Sequence, residues 1–265
     1  MTIEELAEQR PLSADFKRAL AEPRARIGLI IPSVNRMTEP QFNRFAPAGL
    51  GVHVARGRVA GGPPRTVAEL TDEIAHAAGT LADAKPDLIV FHCTHTSMKE
   101  GADGETRIIN LIRQTTGIDA VSTSSLVNEA LRALGIKKVL VLSPYQTNAD
   151  IIAYLTAAGF TVVKDVALAC ATPAAFEAIT PQRWYELALE IQRELGDVNG
   201  QAEILQWLGD LHATAGRDAE AERAWSEAFG TYTALGDRRA DGLRDRLVGR
   251  WADRHEVIPR TAIPL

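Results

Sequence analysis

A cysteine set among hydroxyls and imidazoles is the feature of this chain best suited to chemistry. Residues 87–98 read D-L-I-V-F-H-C-T-H-T-S-M, so Cys93 stands between His92 and His95 and is followed by Thr94, Thr96 and Ser97. An ionised thiol is a nucleophile or a base, imidazoles move protons, and hydroxyls hydrogen-bond anions. The four apolar residues 88–91 lead into this run. An apolar run without alternation predicts a strand buried on both faces of a parallel sheet, and in such sheets ligands bind beyond the carboxyl ends of the strands. The same residues also fit an inert, buried cysteine beside a helix-capping threonine. Both readings stay open at this point.

Two other loops carry polar groups to strand ends. Ser33 and Asn35 follow a strand expected over 26–31, and Asn35 is either a ligand-binding amide or a turn residue. The S-P-Y run at 143–145 ends a strand expected over 138–142. Cys93 and Cys170 are the two cysteines of the chain, too few for a disulfide framework or a thiolate zinc site. Gly61 and Gly62 do not open a helix after a strand at the spacing of a phosphate-binding fingerprint. Chemistry at Cys93 is therefore expected to need neither metal nor organic cofactor.

At 265 residues and 46% hydrophobic, the chain can bury a substantial core. Its net charge of −5 offers no basic excess for a phosphate backbone, which argues against nucleic acid as a partner. No apolar run is long enough to span a bilayer, so no membrane role is expected. The first 26 residues are charged and lack the apolar centre of a signal peptide, so a cytoplasmic location is expected.

The elements that would position these groups alternate. A helical arm is expected over 1–25. Strands follow at 26–31 and 51–56, a helix at 66–84 with Leu70, Ile74, Ala77, Ala78 and Leu81 on one side, and the strand at 88–91. His76 on that helix reads as a surface residue. Next come a helix at 105–116, a short strand at 119–121, and a hydroxyl run at 122–125 capping a helix that Gly135 closes. The strand at 138–142, a helix at 148–158 and a strand at 161–166 complete the pattern. Such alternation predicts an α/β fold, a parallel sheet with helices on both faces. Cys170, in the connection after the last strand, reads as a buried filler.

From residue 179 the character changes. Thr180 and Pro181 supply a cap and a first-turn proline, and no strand is expected beyond them. Ala188 and Leu195-Gly196-Asp197 recur 40 residues later as Ala228 and Leu235-Gly236-Asp237, and Tyr185 is answered by Trp225. Such a period means stacked helical units. Leu208, Gly209, His212, Ala221, Trp225 and Ala228 resemble a tetratricopeptide repeat, with His212 where an aromatic residue is usual. The expected domains are thus the arm at 1–25, an α/β domain at 26–180, a tetratricopeptide-like segment at 181–256 and a tail at 257–265.

Ordered motifs give the α/β part a family resemblance. They are I-I-P-S-V-N-R-M-T-E-P at 30–40, F-H-C-T-H-T-S-M-K-E-G at 91–101, T-T-G-I-D-A-V-S-T-S at 115–124, A-L-R-A-L-G at 130–135, S-P-Y at 143–145 and I-T-P-Q-R-W-Y at 179–185. Together they resemble the maleate cis–trans isomerase and arylmalonate decarboxylase branch of the aspartate/glutamate racemase superfamily. The resemblance implies two α/β lobes with a substrate carboxylate held between them. It implies Cys93 as thiolate nucleophile or base. Thr94 and the backbone around His95 would hydrogen-bond the carboxylate, Tyr145 would donate its phenol to it, and Asn35 would contact a second carboxylate or orient the substrate. A strand-to-helix turn rich in amides and hydroxyls suits an anion, and its field is expected to lower the thiol pKa.

One departure limits what the resemblance implies. The family's second lobe continues past the I-T-P helix with a strand ending in a Ser-Cys-Thr-like motif, and this chain passes into the helical repeat instead. Two-base racemisation needs an acid and a base on opposite faces of the reacting carbon, which one cysteine cannot supply. Addition of a thiolate to a double bond, rotation and release asks less, with His92, His95 or Tyr145 as proton donor. The expected function is a cofactor-independent isomerase acting on a small carboxylate. The alternative is a degenerate relative whose helical repeats bind a protein partner or shape a homo-oligomer.

Overall fold

The computed structural model of the chain describes residues 23–58 and 65–255. The expected arm at 1–25, apart from its last residues, and the tail at 257–265 lie outside the described residues. Of these, the residues up to Val141 together with Thr147–Val163 form one compact unit, and Leu142–Gln146 with the described residues from Lys164 on form a second.

In the first unit four strands make a parallel sheet in the order β2-β1-β3-β4: β1 (Ala25–Pro32), β2 (Leu50–Gly57), β3 (Leu88–Phe91) and β4 (Ala120–Ser122). β1 and β3 are the inner strands, with Ile30 opposite Phe91. Strand alternation sends Ile30, Ile89 and Phe91 to one face and Leu29, Ile31 and Val90 to the other. Both sets are buried, as the apolar runs predict.

The Ile30 face is covered by α2 (Val67–Ala82) and α4 (Gly101–Thr116). α2 starts at a capping box: the Thr66 hydroxyl accepts from the Glu69 amide at 3.3 Å, and the Glu69 carboxylate accepts from the Thr66 amide at 2.7 Å. Its row Val67, Leu70, Ile74, Ala77, Ala78 and Leu81 is buried, matching the expected apolar side, and His76 is exposed. Gly28 on β1 permits the close approach, because a Cβ there would lie 3.2 Å from Leu81 Cδ1. The opposite face receives Phe42 of α1 (Thr38–Phe45). α4 begins four residues earlier than the sequence suggests. Gly101 and Gly104 mask its first turn, since glycine is a poor helix former.

Two short elements complete this part. The polar run after β3 folds into α3 (Thr94–Lys99), and α5 (Thr123–Ala133) follows β4. α6 (Ala149–Ala157) lies between β5 (Lys138–Ser143) and β6 (Thr161–Ala167), which form a separate two-stranded sheet. The Thr161 amide reaches the Lys137 carbonyl and the Leu168 amide the Ser143 carbonyl.

From Pro173 on, the described residues hold helices and no strand: α7 (Pro173–Glu177), α8 (Pro181–Leu195), α9 (Val198–Thr214), α10 (Asp218–Ala234) and α11 (Arg239–His255). Thr180 caps α8, its hydroxyl accepting from the Arg183 amide, and Gly196 ends it at φ 67°. From α8 on, consecutive helices pack against one another. Their core gathers Leu205, Leu208, Ala221, Trp225, Ala228 and Tyr232 among others. Gly209 is where α9 meets the Trp225 ring of α10, and the indole Nε1 donates to Asp210 at 2.9 Å.

Candidate active site

Cys93 follows the last residue of β3 by two positions and caps the N-terminus of α3. The His92 amide, bonded to the Ile30 carbonyl at 2.8 Å, extends the sheet pairing up to the residue before it. The cysteine therefore sits where a rigid inner strand ends, as the apolar run predicts. Its carbonyl accepts from the Ser97 amide at 3.0 Å and from the Ser97 hydroxyl at 3.1 Å. Its Sγ lies 3.1 Å from the Thr96 hydroxyl.

The electrostatics differ from the sequence expectation. Burial pushes the Cys93 thiol up from its ordinary value, and hydrogen bonding from Thr96 only partly opposes this. The lowered thiol pKa expected from the turn is not found, because desolvation outweighs the local donors. The cysteine and Thr96 line a chamber of about 20 Å³, whose walls include Ile30, Phe91, Leu70 and Ile74. Such a volume takes one water. Glu73 of α2 also lines it, paired with Arg65 at 2.6 and 2.9 Å. Arg65 holds the Glu73 carboxyl below its usual range.

The flanking imidazoles are both held neutral by desolvation. His92, with its Nδ1 2.8 Å from the Thr123 hydroxyl, and His95, facing the opposed charges of Asp150 and Lys99, have pKa values below the ordinary one. The Thr94 carbonyl accepts from the Ser97 hydroxyl at 3.1 Å and from the Ser124 hydroxyl at 3.4 Å. The bond from Ser124 fastens α3 to the start of α5.

Asn35 lies at the carboxyl end of β1, the strand beside β3, so both loops leave the same edge of the sheet. Its side-chain oxygen accepts from the Met37 and Thr38 amides, both at 3.0 Å, which is the turn role the sequence allowed. The Nδ2 amide is the part it can offer a ligand. Arg56, at the end of β2, holds this loop by donating to the Ser33 and Asn35 carbonyls at 3.0 and 2.7 Å and pairing with Glu39. Sequence reading missed Arg56, although a basic residue one strand over from an expected loop was the available signal.

Tyr145 belongs to the second unit. Its amide donates to the Ser143 hydroxyl at 3.2 Å, and its ring packs edge-on against Phe176 at 5.9 Å. Gln146 fastens that loop through the Ala169 and Cys170 carbonyls. Cys170, in the connection after β6, is half-buried and joins none of the hydrophobic clusters, so its reading as a buried filler does not hold.

Sequence reading also missed a knot around Glu105 of α4. One carboxylate oxygen accepts from the Ser122 hydroxyl and, at 3.1 Å, from the Ser125 amide, and the other accepts from Tyr154 OH at 2.7 Å. Burial and the adjacent carboxylate push the Tyr154 phenol well up from its ordinary value.

The arylmalonate decarboxylase family model matches residues 27–218, a span that includes Asn35, Cys93 and Tyr145. The chain belongs to that family. Within it, the chain is 29% identical over 148 residues to a maleate isomerase of Nocardia farcinica, a match covering 52% of this chain and 59% of that protein. The fold is shared with solved members. One is a cysteine-to-serine variant of the N. farcinica maleate cis–trans isomerase carrying a covalently bound succinylcysteine intermediate: TM-score 0.54, 21% identity, 80% of this chain and 93% of that one. Another is a glycine-to-cysteine variant of arylmalonate decarboxylase with an associated sulfate ion: TM-score 0.57, 18% identity, 77% of this chain and 94% of that one. No helix among the described residues is long and apolar enough to cross a membrane.

Proposed function

We propose that this arylmalonate decarboxylase family member is a cofactor-independent isomerase of a small cis-dicarboxylate, working through Cys93. The observation that carries the reading is the placement of Cys93 at the end of an inner strand, hydrogen-bonded by Thr96, beside a hydroxyl-rich turn. The succinylcysteine adduct in the N. farcinica relative supports it. The sulfur adds to one alkene carbon, and the proton it gave up is delivered to the other. The product is a succinyl thioether whose central bond is single and rotates. Reversal, with the carbon proton removed and the C–S bond broken, releases the trans isomer and restores the thiol. His92 and His95, neutral at rest, are suited to carry that proton. Thr94, the His95 backbone, Asn35 and Tyr145 are assigned to the substrate carboxylates. A cytoplasmic setting fits a free thiol.

The test is direct. Maleate incubated with the protein and followed by proton NMR should give fumarate, and Cys93→Ser should abolish this while keeping the fold, because a serine hydroxyl is scarcely ionised at neutral pH. No turnover, with no protection of Cys93 from alkylation by maleate, would refute the reading.

A second reading, a non-catalytic scaffold, is favoured by the raised thiol pKa and the water-sized chamber beside it. Here the helices would act as tetratricopeptide-like repeats, supported by Gly209 packed under Trp225 and by the small core residues Ala221 and Ala228. They would hold a protein partner or a second copy, with the exposed Trp207 and Val198 as contact residues. Light scattering and Cys93 alkylation together separate the two: the scaffold predicts an oligomer or complex and an unreactive thiol.

A further inference from the structure

We infer that Thr96 is the positioning residue of Cys93: its hydroxyl, one helical turn on, fixes the sulfur and supports its ionised form. The inference rests on Cys93 as nucleophile but concerns the thiol itself. The Sγ to Oγ1 distance is 3.1 Å, and a neutral thiol can donate across it or accept. A thiolate can only accept, so on ionisation the threonine hydroxyl must donate to it, and the bond becomes charge-assisted.

Two features of the surroundings hold the hydroxyl to this task. A helical threonine hydroxyl can bond the carbonyl three or four residues back. For Thr96 the nearer of these is the Cys93 carbonyl, which already accepts from the amide and the hydroxyl of Ser97. The Ser97 amide takes one lone pair of that oxygen, and the Ser97 hydroxyl competes for the other. The chamber walls contributed by Ile30, Leu70, Ile74 and Phe91 are apolar, so the bond lies in a low-dielectric place where a hydrogen bond counts for more. Glu73 of α2 faces the same chamber with its charge met by Arg65, and His92 and His95 flank the cysteine in the chain.

The test reads ionisation rather than turnover. In a Cys170→Ser background, the rate of iodoacetamide alkylation against pH gives the Cys93 titration curve. Thr96→Val should move its midpoint upward by about one unit, roughly tenfold less thiolate at a given lower pH. Thr96→Ser should stay close to the parent. If Thr96→Val does not fold by circular dichroism, Thr96→Ala removes the same hydroxyl while favouring the helix. A curve for Val or Ala that overlays the parent, or a Ser curve displaced as far as theirs, overturns the inference. Failure of maleate turnover with the shift intact would sink the isomerase reading alone.

Discussion

Gly209 and Gly230 stand on neighbouring helices, and the same substitution should act on them with opposite signs. At Gly209 an added Cβ would fall 2.9 Å from Trp225 Cγ and nearer still to Cδ1 and Nε1. The indole is 4% exposed and cannot move without repacking. Forcing it aside costs about 1–3 kcal/mol of overpacking. Displacing Nε1 from Asp210 costs about 1 kcal/mol more. Against this, alanine is better in a helix by about 1 kcal/mol. Gly209→Ala should therefore destabilise the helical unit by about 1–3 kcal/mol. At Gly230 a Cβ would meet nothing within 4 Å, which leaves only the propensity gain, so Gly230→Ala should stabilise by about 0.5–1 kcal/mol. All four tryptophans, Trp184, Trp207, Trp225 and Trp251, lie in the helical segment. Urea unfolding followed by tryptophan fluorescence thus reads the relevant part of the chain. A Gly209→Ala midpoint equal to or above the parent would refute the packing argument.

Other outcomes follow from the first unit. Tyr154→Phe removes a donor to Glu105 and should cost about 1.5–3 kcal/mol in urea unfolding followed by far-UV circular dichroism; an unchanged midpoint would show the knot to be idle. His92 and His95 have folded pKa values below the unfolded one, so the unfolded state binds more protons just below pH 6.5 and stability falls as pH drops through that region. Replacing both by glutamine should flatten the dependence of Tm on pH between 6.5 and 5, and an unaltered slope would assign it elsewhere. Arg56→Ala frees the Asn35 loop and should weaken protection of Cys93 by maleate several-fold without moving the Cys93 alkylation curve; a displaced curve would mean that Arg56 acts on the thiol instead.

The order of elements could be read from the chain because burial writes itself into periodicity. The strand at 88–91, the buried side of α2 and the cap at Thr180 follow from local patterns. So did the family, since its motifs cluster at strand ends that the same patterns locate. The start of α4 was hidden by two glycines, and α3 by a run of residues that suit a loop equally well. The thiol pKa was misjudged because a turn's donors are visible in sequence while the depth of burial is not. Arg56 and Glu105 were missed for a related reason. Each makes bonds to residues 17 or more positions away, which no local spacing records.

The Glu105 knot has a consequence for anyone mapping this protein by mutation. Its carboxylate binds Ser122 at the end of β4 and Ser125 of α5; Ser124 of α5 binds Thr94 and Ser97; and Ser97 holds the Cys93 carbonyl. These hydrogen bonds, with the backbone between Ser122 and Ser125, join Tyr154 on α6 to the backbone of Cys93. In a library scored on the proposed turnover, losses at Glu105, Tyr154 and Ser124 would report on this support, since none of them is assigned to the substrate. Sorting such hits by whether thiol alkylation stays normal would separate the scaffolding from the chemistry.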